Sequence, residues 1–157
     1  MLQPELSPQE FGIWFQGQWL SLLRSSGKCY SHPLLDTRSA GNIVNPQPSD
    51  ISSVINGLPV YQECKSSTEF TEFRRCFRSH IRKEQAAACR MITHHKGLYF
   101  FPFLSRTDHK LYVYEGAPVV RCFHRKSNKF PEPLLVGEWS DRVSFVDSFI
   151  NLVAGEY

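Results

Sequence analysis

Two acids and a lysine, Asp50, Glu63 and Lys65, stand in the pattern Asp-x12-Glu-x-Lys around an Asn56-Gly57 pair. Carboxylates brought together can hold a hard divalent cation through oxygen. An ammonium beside them can stabilise charge on a phosphate or orient an attacking water. That is the chemistry of metal-assisted phosphodiester hydrolysis. What brings the residues together is the turn, because Asn and Gly both tolerate the positive φ of a type I′ hairpin. The apolar runs 51–55 and 58–64 then read as its strands, and Ile55 faces Leu58. Stepping outward from that pair places Asp50 opposite Glu63, with Cβ atoms about 4.5–5.5 Å apart. Lys65 projects from the same face as Glu63. Facing carboxylates repel each other, an objection that a cation between them removes. The competing reading is an exposed hairpin carrying a cross-strand charge cluster, since short patterns of this kind arise by chance. A bulge would shift the register and weaken the geometry.

The rest of the chain must supply a scaffold for that hairpin. Its 157 residues, 41% apolar and 13% aromatic, suit one globular domain with a sizeable core. A net charge of +3 does not announce a nucleic-acid binder, so any basic surface must be local. No apolar run approaches a membrane span, and the N-terminus lacks the pattern of a secretory signal. Five dispersed cysteines without a C-x-x-C pair favour reduced thiols in a cytosolic setting. Zinc on His94, His95, His109 or His124 has no ligand spacing behind it.

Residues 7–26 read as a first helix. Ser7 caps it, Pro8 suits the first turn, Glu10 completes a capping box, and Gly27 ends it. Phe11, Phe15, Trp19, Leu22 and Leu23 recur at helical spacing. A strand over 29–36 leads into a polar loop, 37–49, that delivers the chain to Asp50 and brings Arg38 and Ser39 towards the site. Ser66 to Thr68 is expected to open a helical segment, with one helix or two over 69–95. Its basic residues Arg74, Arg75, Arg78, Arg82 and Lys83 form a stripe suited to backbone phosphates, or else a solvated face. Gln85 falls on the apolar face with Ile81, Ala88, Cys89 and Ile92, either as a satisfied core glutamine or aimed at the acids. Gly97 ends the helix. Runs 98–103, 111–114 and 119–123 read as strands, Pro102 marking an edge or a strand end. Residues 141–153 form a final helix with Val143, Val146, Phe149, Ile150 and Val153 apolar.

The order helix, strand, hairpin with acids and lysine, then helix with an inward glutamine resembles the PD-(D/E)xK nuclease superfamily. Within it the chain looks most like the archaeal-type Holliday junction resolvases, a group with phage members. Leu22-Leu23 and Gly27, Arg38-Ser39-Ala40-Gly41, Asp50, Glu63-Cys64-Lys65 and Gln85 carry the likeness, over residues 10–115. The resemblance implies a mixed α/β (α+β) fold with a restriction-endonuclease-like central mixed sheet flanked by helices. It implies one nuclease domain over 1–157, with a core at 7–123 and a C-terminal extension at 124–157. It further implies that Asp50, Glu63 and the Cys64 backbone carbonyl ligate Mg²⁺ or Mn²⁺, with Lys65 the catalytic lysine and Gln85 beside it. Ser39 and Arg38 would act on the DNA backbone from a mobile loop, in a cytoplasmic homodimer that cuts both strands of a four-way junction. Aligning the first helix puts Gln16 where the family has a glutamate, so the third acid at the metal is a neutral amide here. Two alternatives stay open: a nuclease for linear, flap or single-stranded DNA, and an inactive DNA-binding module on the same fold.

Overall fold

Helix α1 (Pro8–Ser25) starts as its sequence dictates. The Ser7 hydroxyl accepts from the Glu10 amide, Glu10 Oε2 accepts from the Ser7 amide at 2.8 Å, and Pro8 occupies the first turn. Gly27, at φ 65°, takes the left-handed position after its end. The computed structural model describes residues 5–125 and 129–157, and only the backbone of Arg38, Ser39, residues 42–45 and Arg125.

The remaining elements are β1 (Tyr30–Pro33), β2 (Thr37–Ser39), β3 (Asn42–Asn45), β4 (Ile51–Ile55), β5 (Leu58–Gln62), β6 (Lys65–Ser67), α2 (Phe73–His80), α3 (Lys83–His94), β7 (Leu98–Ser105), β8 (Lys110–Glu115), α4 (Gly116–Arg125), β9 (Leu135–Glu138) and α5 (Arg142–Glu156). The main sheet runs β1-β4-β5-β7-β8-β9, with β6 prolonging β5 along β7. Strands β5 and β6 are parallel to β7 and the other pairs are antiparallel. A parallel pair needs a crossover, and α2 with α3 supplies it. The expected mixed sheet flanked by helices is therefore the observed architecture.

Alternation along the central strands splits the core into two layers. Val60, Phe100, Leu104, Leu111 and Val113 face α1 and α5, packing with Phe15, Trp19 and Phe149. Tyr99, Phe101, Phe103, Tyr112 and Tyr114 face the opposite way, onto Phe73, Cys89 and Val119 of α2, α3 and α4. Each fully buried aromatic contributes roughly 1.5–3 kcal/mol, so both faces are firmly held. Strand β9 extends the sheet beyond β8, and α5 buries Val146, Phe149, Ile150 and Val153 in the first layer. Val143, expected on that apolar face, is exposed instead.

Further expectations are corrected. Residues 37–49 are not an open loop: β2 and β3 form a separate hairpin, turned by Ala40 and Gly41 at φ 49° and 82°. Ser66 and Ser67 belong to β6 because the chain can continue its parallel pairing with β7, Lys65 opposite Phe103. The Ser67 hydroxyl then accepts from the Glu69 and Phe70 amides, and the helix begins only at Phe73. The run 119–123 is helical, not a strand. Five apolar residues do not distinguish a strand from a buried helix segment; Pro118 suits a first helical turn, and Val119, Val120 and Cys122 all bury against the second layer.

Pro102 lies within central β7, not at an end. Its position has a reason. The Phe100 carbonyl accepts from the Glu63 amide, so residue 102 would be the next donor on that edge of β7. Pro102 has no N–H to give. Pairing with β7 accordingly lapses at residues 63 and 64 and resumes in the same register at Lys65.

Gly116 sets how closely α4 meets α3. A Cβ there would lie 2.8 Å from Cys89 Sγ and 2.7 Å from the Tyr99 carbonyl oxygen. Backbone cannot yield as a flexible side chain can, so Gly116→Ala is expected to overpack this junction by about 1–3 kcal/mol. Thermal unfolding should fall by several degrees; an unchanged midpoint would contradict the close approach.

Candidate active site

Asn56 and Gly57 both take positive φ, 50° and 79°, as a type I′ turn requires. Ile55 pairs with Leu58 and Ile51 with Gln62, so the register runs without a bulge and carries Asp50 to Glu63. Asp50 Oδ2 accepts from the Cys64 amide at 2.9 Å, which locks the end of the hairpin. The interruption opposite Pro102 leaves 63 and 64 outside the regular ladder, where the carboxylates stand.

Lys65 Nζ donates to Glu63 Oε1 at 3.2 Å and to Gln85 Oε1 at 3.1 Å. Gln85 Nε2 donates to the same Glu63 oxygen, and Gln85 Oε1 also accepts from the Arg82 amide at 3.0 Å. Gln85, only 6% exposed, therefore uses both ends of its amide to tie the lysine, the glutamate and the start of α3 together. The inward reading of this glutamine is the one realised. Removing it, as Gln85→Ala, leaves Lys65 held by Glu63 alone; a tenfold or larger loss of any hydrolytic rate is expected, with the fold retained by circular dichroism.

Burial raises Asp50 to about 7, the Glu63 charge adding to it while Lys65 and the Cys64 amide oppose. Burial likewise raises Glu63, with Lys65 the main opposing influence. Without a counter-cation the pair resists carrying two full negative charges at neutral pH. Asp50 Oδ1 accepts no hydrogen bond among the described residues, which leaves one hard oxygen free to ligate, while the Glu63 carboxylate feels the Asp50 backbone amide as well as Lys65 and Gln85. This donor set fits Mg²⁺ or Mn²⁺, which take one or two carboxylates and fill the rest of the shell with water and phosphate. Burial holds the Cys64 thiol well above its ordinary range. Among the described residues no three His, Cys, Asp or Glu side chains cluster together.

Gln16 is half-buried on α1 and makes no hydrogen bond to the acids among the described residues. Arg74, Arg75, Arg78, Arg82 and Lys83 are all exposed on α2 and at the start of α3. The Arg38 and Ser39 side chains expected near the site lie outside the described residues; their backbone forms β2.

Two supports were not foreseen from the sequence. Tyr99 Oη donates to the Pro48 carbonyl at 2.6 Å, anchoring the segment that leads to Asp50. Behind the site, Trp19 Nε1 donates to Gln62 Oε1, Gln62 Nε2 donates to Ser53 Oγ, and Ser53 meets Ser31, all within 2.7–2.8 Å. This buried chain clamps β5 one residue before Glu63. Ser53 and Gln62, polar residues at core-facing positions of otherwise apolar strands, were the available signal.

None of Cys29, Cys64, Cys76, Cys89 and Cys122 forms a disulfide among the described residues. No helix among the described residues is long and apolar enough to cross a membrane. No family model matches the chain, and no curated protein matches it in sequence. Among solved structures it is similar to Hjc, a Holliday junction resolvase from the archaeal hyperthermophile Archaeoglobus fulgidus, at 12% identity and a TM-score of 0.45, over 65% of this chain and 73% of that one.

Proposed function

We propose that the protein is a metal-dependent endonuclease of the PD-(D/E)xK kind that hydrolyses phosphodiester bonds in branched DNA, four-way junctions above all, as a homodimer. The observation that carries this reading is the cluster at the hairpin end: a half-buried and a buried acid side by side, a lysine hydrogen-bonded to the buried one, and a glutamine holding that pair. Buried like charges cost stability unless something compensates them, so the arrangement has little purely structural reason to exist.

Asp50, Glu63 and the Cys64 carbonyl would hold Mg²⁺ or Mn²⁺. When bound, the cation supplies Lewis-acid stabilisation of the phosphoryl group and a more acidic water. Lys65 presents its ammonium beside the acids, where it stabilises negative charge building on the phosphate oxygens. Gln85 keeps that ammonium from swinging away. Arg74, Arg75, Arg78, Arg82 and Lys83 bind backbone phosphates along α2 and α3, contributing salt-dependent affinity without sequence preference. Arg38 and Ser39 belong to the same proposal as residues that reach the DNA from the β2–β3 hairpin.

The test is cleavage of a four-way junction, a flap, a linear duplex and a single strand, each across a Mg²⁺ and Mn²⁺ series. Metal-dependent nicking concentrated on the junction supports the proposal. Equal cutting of the other DNAs would move it to a general nuclease. The neutral Gln16 favours one other reading, an inactive DNA-binding module; calorimetry detecting no Mg²⁺ or Mn²⁺ binding dependent on Asp50 and Glu63 would establish it.

A further inference from the structure

Helices α3 and α4 line an open groove of about 410 Å³ whose walls do not include the acids. Its walls carry Arg90 and His94, four residues apart on α3, and Arg121 and His124, three apart on α4. Such spacings put each pair on one helix face. Ala117 and Val120 form an apolar floor between them, and no acidic side chain lines the space. Neither the Arg90 nor the Arg121 guanidinium makes a hydrogen bond or ion pair among the described residues. Surface arginines commonly find a carboxylate nearby; here two converge on one groove without one. Each presents five donors in a planar fork that matches phosphate geometry, and each imidazole adds a further N–H donor. Small apolar side chains below leave room for a sugar or base while the cations take the phosphate.

We infer that the α3–α4 groove is a binding site for a phosphate-bearing nucleotide, separate from the Asp50–Glu63–Lys65 cluster and occupied by a nucleotide of a bound nucleic-acid strand. The groove reaches the far end of the helix that begins with Arg82 and Lys83. Lys83 and His94 are about 16 Å apart along its axis at 1.5 Å per residue. A strand laid along α3 would thus meet cations at both ends. The choice of a strand over a free nucleotide rests on the nuclease reading, but the groove's affinity for phosphate does not.

The test uses the full chain in EDTA, so that hydrolysis plays no part. A fluorescent single-stranded oligonucleotide and, separately, a labelled mononucleotide are titrated by anisotropy at several salt concentrations. For Arg90→Ala combined with Arg121→Ala, oligonucleotide affinity is expected to fall on the order of tenfold at low salt. The slope of log K against log salt should shrink by about 1.4, the value for two single-strand phosphate contacts. Loss of mononucleotide binding alone would keep the site but assign it to a free nucleotide. Unchanged binding of both probes would overturn the inference, whatever the cleavage assays give. If the alanine pair unfolds, Arg90→Gln with Arg121→Gln tests the same contacts while keeping polar side chains on the surface. Because neither arginine touches the acid–lysine cluster, failed cleavage by the unaltered protein with intact groove binding would count against the nuclease proposal alone.

Discussion

Replacing Lys65 with alanine is expected to reduce the rate of junction cleavage by on the order of 10²–10³, the usual effect of removing one preorganised donor from a site of developing charge. Junction affinity should stay within about twofold, because the exposed arginines of α2 and α3 supply the phosphate contacts and Lys65 is one cation among many. The direction follows from geometry. Lys65 Nζ is held at 3.2 Å from Glu63 Oε1 and 3.1 Å from Gln85 Oε1, so its position is set before any substrate arrives. Alanine leaves Glu63 without its main compensating charge, and its carboxyl should protonate more readily still. Single-turnover cleavage and equilibrium binding, measured on the same preparation, check both halves. Cleavage that persists at the wild-type rate would remove Lys65 from the chemistry and with it the proposed site.

The second large effect concerns stability in the absence of metal. Asp50 titrates at about 7 in the folded protein and near 3.8 when unfolded. Its folded value is raised, so the unfolded chain gives up this proton first as pH rises. Stability is therefore undiminished below about pH 4, declines between pH 4 and 7, and stays at its reduced level above pH 7. At 1.36 kcal/mol per pH unit the deficit has an upper bound of about 4 kcal/mol, shared with the Glu63 carboxylate. Asp50→Asn keeps an oxygen for the Cys64 amide and removes the charge. Its thermal midpoint should match that of the wild type at pH 4 and exceed it at pH 8 by several degrees, at about 2–4 °C per kcal/mol for a chain of this size. Millimolar Mg²⁺ at pH 8 should then raise the wild-type midpoint and leave that of Asp50→Asn nearly unchanged, since only a ligand of the folded state stabilises it. Equal midpoints for the two proteins at pH 8 would show that Asp50 carries no such burden, and a Mg²⁺ response equal in both would detach the metal from this acid.

The hairpin was readable from its residues because every determinant of it is local. Asn56 and Gly57 choose the turn, the turn chooses the register, and the register sets Asp50 against Glu63 within a stretch of fourteen residues. The α1 cap and the Gly27 terminus were readable for the same reason: Ser7, Pro8, Glu10 and Gly27 act on their own immediate backbone. Gln85 was half readable. Helical spacing put it on the inner face of α3, but only the packed structure chose between a core amide and a link from Lys65 to Glu63.

Elsewhere the outcome depended on partners distant in sequence. Ser66 and Ser67 have turn and helix-cap chemistry, yet they extend a strand because β7 offers a free edge beside them. Residues 119–123 have strand-forming side chains, yet they coil because the second layer needs Val119, Val120 and Cys122 on one side. Pro102 argued for an edge until the sheet placed its missing N–H at the gap beside Glu63. What the sequence determined by itself is the acid-acid-lysine hairpin, since a two-residue turn fixes pairing without outside help. What only the tertiary structure decided is the surroundings that make it chemically unusual: the burial that raises Asp50 and Glu63, the glutamine that fixes Lys65, and the interrupted ladder that frees residues 63 and 64. Each arises from segments twenty or more residues apart in the chain meeting in the fold, and no local spacing can encode that meeting.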